Sequence, residues 1–116
     1  MNEPSVFSSD TKTLPTTAVH KKNDGTILEH RELHNAYGAA HQRASYIGLT
    51  ARDSAEELRP FAYTRSFFLG SQKYGGYWTG DNYAVSEEVF GSVKQILQNG
   101  LGGMLFGGAD VPGFIG

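Results

Sequence analysis

Two short apolar runs, each followed by a charged residue, constrain the fold of this chain more than any other feature. The first run, residues 60–63 (PFAY), comes just before Arg65. The second, residues 74–78 (YGGYW), comes just before Asp81. Apolar runs of this length, bounded by proline and glycine, are typical of short buried strands. A cation and a carboxylate at neighbouring strand ends therefore predict a functional site.

A first helix is predicted over residues 30–49. Gly48 stands where such a helix would end, and the apolar residues recur every three or four positions. This spacing predicts an amphipathic helix with one apolar face, formed by Leu33, Ala36, Tyr37, Ala40, Ala44 and Ile47.

A second helix is predicted to begin at Ser86 and to end at Asn99 and Gly100. Ser86 is a suitable N-cap residue, and two glutamates follow it in the first turn, where carboxylates favour the positive end of the helix. Its apolar stripe consists of Val89, Phe90, Val93, Ile96 and Leu97.

The segments between these elements are predicted as follows. Residues 1–7 (MNEPSVF) indicate the end of a strand, and residues 8–25, which are rich in polar residues and lack an apolar period, indicate an exposed loop. Residues 52–58 are charged and predict a loop or a helical turn. Residues 102–108 (GGMLFGG) predict another buried parallel strand, which places Asp110 at its carboxyl end.

The order of these elements predicts a mixed α/β fold in which strands and helices alternate. Such an order describes consecutive units of a (β/α)8 barrel, in which the strand ends converge on one active site. We therefore expect residues 1–116 to be part of a single, larger barrel domain.

Composition excludes several classes of function. The net charge is only −2 and the basic residues are scattered, which disfavours a nucleic-acid partner. No apolar run approaches the roughly 20 residues that span a bilayer. The chain contains no cysteine, so disulfides and cysteine metal sites are excluded. His30 and His34 are four residues apart, but Glu32 is one position away from where the zinc-protease motif requires it, which favours a structural role over a metal site.

The strand ends suggest carbohydrate chemistry without requiring it. Asp81 and Asp110 are candidates for a pair of carboxylates, and Arg65 is a candidate clamp for hydroxyl groups or a carboxylate. Trp78 and Phe114 are candidate apolar platforms for a sugar ring. Aspartates at strand ends also cap helices and hold loops, so a purely structural interpretation remains open.

Three motifs in order resemble glycoside hydrolase family 31: MNEPSVF, RPFAYTRSFFLGSQKYGGYWTGDN and GGMLFGGADVPGF. The resemblance covers nearly the whole chain except residues 8–25. It implies a partial (β/α)8 TIM barrel, covering roughly the central strands of the catalytic domain, in a retaining α-glucosidase that hydrolyses terminal α-linked glucose, with no cofactor and no metal.

The resemblance also implies residue roles. Asp81 corresponds to the general acid/base, and the family's nucleophile is the residue immediately before Met1, so this chain by itself is expected to be inactive. Arg65 would contact sugar hydroxyls, and Asp110 would lie near the same sugar. The remaining residues that would line the sugar pocket are Trp78, Phe114 and Met1.

Partners and location follow from the same resemblance. The expected substrate is an α-glucoside or a glycan. The endoplasmic-reticulum members of the family imply a lumenal location and a regulatory β subunit as partner. The alternative function is a non-catalytic module that binds carbohydrate or another protein through the same residues.

Overall fold

The structure, a computed structural model, describes residues 1–52 and 59–116. The described residues form two small sheets and two long helices, with shorter helical segments between them. In chain order the elements are β1 (Val19–Lys21), β2 (Ile27–Glu29), α1 (His30–Leu33), a 3-10 turn (His34–Ala36), α2 (Tyr37–Arg52), β3 (Tyr63–Thr64), a second 3-10 turn (Ser71–Lys73), β4 (Gly76–Trp78), α3 (Ser86–Leu101) and β5 (Gly107–Gly108).

The larger sheet has the order β3-β4-β5, and both pairings are parallel, as predicted. The strands are shorter than predicted. β3 begins only at the last residue of the apolar run at residues 60–63, and β5 occupies only the last two residues of the run at residues 102–108. Glycine permits the close packing of this sheet. A side chain at Gly76 would lie within 3 Å of both Phe106 and Tyr63, and one at Gly107 would lie 2.2 Å from the Tyr77 ring.

Residues 8–25 are mostly exposed, but the prediction of an unstructured loop is wrong for their second half. β1 lies in this segment and pairs with β2 in an antiparallel hairpin, with Val19 opposite Glu29. The hairpin turns at Gly25, whose φ of 86° favours glycine. Its amide donates to the carbonyl of Lys22 at 3.0 Å. Each strand has only three residues, so the alternation of its side chains is too short to distinguish a strand from a polar loop in the sequence.

The predicted helix over residues 30–49 forms, although the 3-10 turn interrupts it and α2 continues to Arg52. Its buried face differs from the predicted stripe. Gly38 and Gln42 are buried, whereas Ala40, Ala44 and Ile47 are exposed. The reason is a close approach between α2 and the segment after β3, which requires a residue without a side chain at position 38. Apart from Arg52, the predicted turn at residues 52–58 lies outside the described residues.

Helix α3 is confirmed, with a change at its start and an end at Leu101 in place of the predicted end at Asn99 and Gly100. Val85, in an extended conformation, is the N-cap residue, and Ser86 is the first residue of the helix. The apolar stripe of α3 is largely exposed: Phe90 is 71% and Leu97 is 65% accessible.

The apolar core is small. Among the described residues, the buried apolar side chains are Ala62, Tyr77 and Met104. No helix within residues 1–52 and 59–116 is long and apolar enough to cross a bilayer.

Candidate active site

Asn2 attaches the N-terminal segment to the rest of the site. Its side-chain amide donates to the carbonyl oxygens of Gly38 at 2.8 Å and Ser66 at 2.9 Å. Its Oδ1 accepts the backbone N–H of Ser66 at 3.0 Å. Asn2 is only 7% exposed, and these bonds satisfy its side chain in a setting where an unpaired amide would be costly. They place Met1 and Glu3 beside Arg65.

Arg65 is the residue to which most of the candidate site residues are connected. Its Nε donates to Glu3 Oε1 at 3.1 Å, and its Nη2 pairs with the same oxygen. Nη1 lies 3.4 Å from Asp81 Oδ2. Nη2 is also 2.8 Å from Met1 Sδ, and the guanidinium carbon lies 5.8 Å from the centre of the Trp78 ring. One planar cation thus touches four residues of the candidate site.

The pairing between Arg65 and Glu3 is strongly electrostatic. Hydrogen bonding from Arg65 lowers the pKa of Glu3 to about 2, and the same bond raises the pKa of Arg65. Both groups therefore remain charged throughout the ordinary working range of pH.

Asp81 lies in the loop that follows β4. The preceding residue, Gly80, has a φ of 94°, and a side chain there would come within 3.1 Å of the Arg65 Cδ atom. The Asp81 side chain is 40% exposed. It lines a cleft of about 210 Å³ together with residues of α3, among them Glu88 and Gln95.

Trp78 and Asp110 share a second groove, of about 320 Å³, which is also lined by Tyr63. The rings of Tyr63 and Trp78 are stacked, with centres 6.0 Å apart and an angle of 10° between their planes. Asn82 links this groove to the loop after β4, because its side-chain amide donates to the Asp110 carbonyl at 3.2 Å. Asp81 thus lines one of these clefts and Asp110 lines the other.

A backbone hydrogen bond, and not packing of its ring, holds Phe114 in position. Its N–H donates to the Asn82 carbonyl at 2.8 Å, and its side chain is 67% exposed. Within the described ranges, neither of the two clefts includes the Phe114 ring. The structure therefore connects Met1, Arg65, Asp81 and Trp78 by direct contacts, adds Asp110 through the shared groove, and leaves Phe114 at the edge.

Glu3 and Asn2 are functional-site residues that the sequence patterns did not indicate. Both lie in the MNEP motif, and the only available signal was a carboxylate two residues from Met1, at the end of a predicted strand. Asn2 bonds Gly38 and Ser66, which are 36 and 64 positions away, and Glu3 bonds Arg65, which is 62 positions away. Sequence spacing does not reveal contacts over such separations.

The His30 and His34 pair is hydrogen-bonded. His30 Nε2 and His34 Nδ1 are 2.7 Å apart, and His30 Nδ1 is 3.0 Å from His20 Nε2. These contacts occupy both ring nitrogens of His30, so a metal ion shared by His30 and His34 would have to displace one of them. In the part of the chain that the structure describes, no group of three or more His, Asp or Glu residues is arranged to hold a metal.

Comparison with protein families gives a match over the whole chain. Residues 1–116 match the model of the "Glycosyl hydrolases family 31 TIM-barrel domain". Human neutral alpha-glucosidase C is 50% identical over 116 residues, a match that covers 100% of this chain and 12% of that protein.

Two solved structures extend the comparison. The glucosidase II alpha subunit in its alpha3-Glc2-bound form is 44% identical and has a TM-score of 0.89, with 100% of this chain and 12% of that one covered. The catalytic subunit in an ER glucosidase II heterodimeric complex, which also holds the binding domain of the regulatory subunit, is 43% identical with a TM-score of 0.87 over 97% of this chain. The chain thus spans about 12% of the length of the proteins it matches.

Proposed function

Since this chain belongs to glycosyl hydrolase family 31 and matches its TIM-barrel domain from residue 1 to residue 116, we propose that it is part of a retaining α-glucosidase. The reaction is the removal of terminal α-linked glucose from an N-glycan or an oligosaccharide. The observation that supports it best is the contact of Arg65 Nη1 with Asp81 Oδ2 at 3.4 Å, beside the Trp78 ring. A hydroxyl-binding cation, an acid and an aromatic face are three of the groups that a retaining glucosidase uses around one sugar, in addition to its nucleophile.

Strands β3, β4 and β5 are proposed to be consecutive central strands of a (β/α)8 barrel. Two observations support this placement. The sheet is wholly parallel, with both of its edge strands unpaired on the outer side among the described residues, and the apolar stripe of α3 is exposed. In a closed barrel, neighbouring strands and helices would cover these surfaces. The full-length protein containing these 116 residues is called the parent enzyme below.

The mechanism assigns two successive tasks to Asp81. In the first step the protonated carboxyl gives its proton to the glycosidic oxygen, while the nucleophile that would precede Met1 attacks the anomeric carbon and forms a glucosyl ester. In the second step the Asp81 carboxylate takes a proton from water as the water oxygen attacks the anomeric carbon. The ester bond breaks, the nucleophile carboxylate is freed, and glucose leaves with retained configuration. These steps require the two carboxyl groups to be about 5 Å apart. The 116 residues made as an isolated chain are proposed to be inactive, because the nucleophile implied by the family resemblance would not be among them.

The remaining residues would hold the sugar. Arg65, through its planar guanidinium, and Asp110, in the groove beside Trp78, would bind hydroxyl groups. Trp78 and Phe114 would pack against the apolar face of the ring, and Met1, next to Arg65, would border the pocket. No cofactor is needed for this chemistry.

The parent enzyme is further proposed to act in the lumen of the endoplasmic reticulum with a regulatory β subunit. The support is the similarity of this chain to the catalytic subunit of a heterodimeric ER glucosidase II.

The anomeric form of the released sugar tests the proposed function. The purified parent enzyme is mixed with an α-linked glucose disaccharide, and proton NMR follows the first product. We expect α-glucose to appear before mutarotation, because two displacements retain the configuration. β-Glucose as the first product would contradict the retaining mechanism. Binding of the disaccharide without turnover would instead favour a carbohydrate-binding module.

A further inference from the structure

Glu3 and Asp81 share the guanidinium of Arg65 unequally. Glu3 Oε1 accepts hydrogen bonds from Nε and Nη2 of Arg65, whereas Asp81 Oδ2 lies near Nη1 alone, at 3.4 Å. The guanidinium is rigid and planar, so binding two of its nitrogens fixes the direction of the third. Glu3 therefore determines how Arg65 faces Asp81.

Glu3 is itself firmly held. Its Oε2 accepts the backbone N–H of Asn2 at 3.0 Å, and Asn2 is bonded to Ser66 and Gly38. Both carboxylate oxygens of Glu3 are thus engaged inside the protein. Its side chain is 26% exposed, and that of Arg65 is 28% exposed. This arrangement suits a residue that positions a neighbour rather than one that contacts the substrate.

The charges explain why such a residue matters for an acid/base. Arg65 carries one positive charge and is flanked by two carboxylates. Without Glu3, the guanidinium would be free to form a two-point ion pair with Asp81, which favours the charged form of that carboxylate. A carboxylate held in that way is a poor proton donor, and an acid/base must both give and accept a proton in each cycle.

We propose that Glu3 is a positioning residue for the glucosidase reaction: it holds Arg65 away from a full ion pair with Asp81 and keeps the guanidinium directed toward the sugar. This inference rests on the proposed function. It concerns Glu3 alone and leaves the roles of Asp81 and Arg65 as stated above.

The test is the pH profile of kcat/KM in the parent enzyme carrying Glu3→Gln, with Glu87→Gln as the matched control. Glu87 is an exposed residue in the first turn of α3. On a disaccharide, we expect Glu3→Gln to lower kcat/KM by about 10- to 100-fold, the range that a displaced positioning contact produces. We also expect the alkaline limb of the profile to move to lower pH, because a two-point ion pair with the released guanidinium favours the charged form of a carboxyl group. Glu87→Gln should leave the profile in place.

A second variant, Glu3→Asp, separates geometry from charge. It keeps the negative charge but withdraws the carboxylate by one methylene group. We expect its alkaline limb to move in the same direction as that of Glu3→Gln, because the shorter side chain no longer reaches both Nε and Nη2. A wild-type pH profile for Glu3→Asp would show that the effect of Glu3→Gln comes from the lost negative charge alone, and it would contradict the positioning role. Should Glu3→Gln fail to give a wild-type circular dichroism spectrum, the Glu3→Asp profile decides the question.

The outcomes also separate this inference from the proposed function. If the unmodified parent enzyme releases no glucose, the proposed function fails. If the unmodified enzyme is active, and folded Glu3→Gln has the same kcat/KM and pH profile as wild type, only the inference about Glu3 fails.

Discussion

Asn2 and Ser66 pair through two hydrogen bonds, with Asn2 Nδ2 donating to the Ser66 carbonyl at 2.9 Å and the Ser66 N–H donating to Asn2 Oδ1 at 3.0 Å. The two residues are 64 positions apart, and the pairing joins the N-terminal segment to the segment that follows β3. It brings Glu3 next to Arg65. The candidate site thus depends on a buried polar contact rather than on the small apolar core.

The first prediction concerns the close approach of α2 to Ser66. In Gly38→Ala, the new methyl group would lie 2.2 Å from the Ser66 Oγ atom and 2.7 Å from its carbonyl oxygen. We expect the parent enzyme to lose about 1–3 kcal/mol of stability, as overpacked sites do. Gly48→Ala is the matched control on the same helix, since nothing lies within 4 Å there. That change should stabilise the helix by up to about 1 kcal/mol. Thermal unfolding measures both, and equal Tm values for the two variants would contradict the packing described.

The second prediction concerns the three hydrogen-bonded histidines, His20, His30 and His34. Burial, together with the nearby charges of His34 and His20, lowers the pKa of His30. Below pH about 6.5 an unfolded chain binds a proton at this residue, whereas the folded chain binds it only at lower pH. The stability is therefore complete above pH about 6.5 and falls as the pH decreases toward the lowered pKa of His30.

We expect the His30→Gln variant to lose less Tm between pH 7 and pH 5 than the wild-type parent enzyme does, because glutamine does not titrate in this range. His41→Gln, which alters an exposed histidine of α2, should keep the wild-type pH dependence. Parallel curves of Tm against pH for wild type and His30→Gln would show that His30 does not contribute to the acid sensitivity of the fold.

The third prediction concerns Arg65. In Arg65→Lys, a single ammonium cannot hold Glu3 and face Asp81 at the same time. We expect kcat/KM of the parent enzyme on a disaccharide to fall by about 100-fold or more. Arg43→Lys, on the exposed side of α2, should have no effect. Unchanged kinetics for Arg65→Lys would assign Arg65 a role outside substrate binding.

The fourth prediction concerns the 116 residues made as an isolated polypeptide. The edges of β3 and β5 are open among the described residues, and Phe90 and Leu101 are 71% and 92% exposed. Such a surface binds hydrophobic dyes and aggregates. We expect no cooperative thermal transition and no release of glucose. A sharp transition of a monomer would contradict the stability claim and favour a binding module, whereas glucose release by a pure sample would contradict the proposed mechanism.

Local patterns predicted the parts of this fold that depend on nearby residues. The apolar period between Val89 and Leu97 was sufficient to predict α3, and the short apolar runs were sufficient to predict parallel strands. Arg65 and Asp81 follow neighbouring strands, which predicted a site at those strand ends, and in the structure Nη1 of Arg65 lies 3.4 Å from Oδ2 of Asp81.

Contacts between distant residues determined the rest. The buried face of α2 contains Gly38 and Gln42 because the segment around Ser66 packs there, and no helical period favours a glycine and a glutamine over alanines. Glu3 meets Arg65 across 62 positions. β1 consists of three residues within a polar segment, and it becomes a strand only because β2 follows a tight turn.

The most direct test of the account is the Asp81→Asn variant of the parent enzyme, assayed on a disaccharide and on an activated aryl α-glucoside with added azide. Loss of the acid should slow disaccharide hydrolysis by about 10²- to 10⁴-fold, while formation of the glucosyl intermediate from the aryl substrate, whose leaving group needs little protonation, should be affected far less. Azide needs no general base, so it should accelerate the aryl reaction and yield α-glucosyl azide. Asp10→Asn, at an exposed position, is the control. Near-normal disaccharide turnover by Asp81→Asn, or equal losses on both substrates without an azide product, would contradict the assignment of Asp81 as the acid/base.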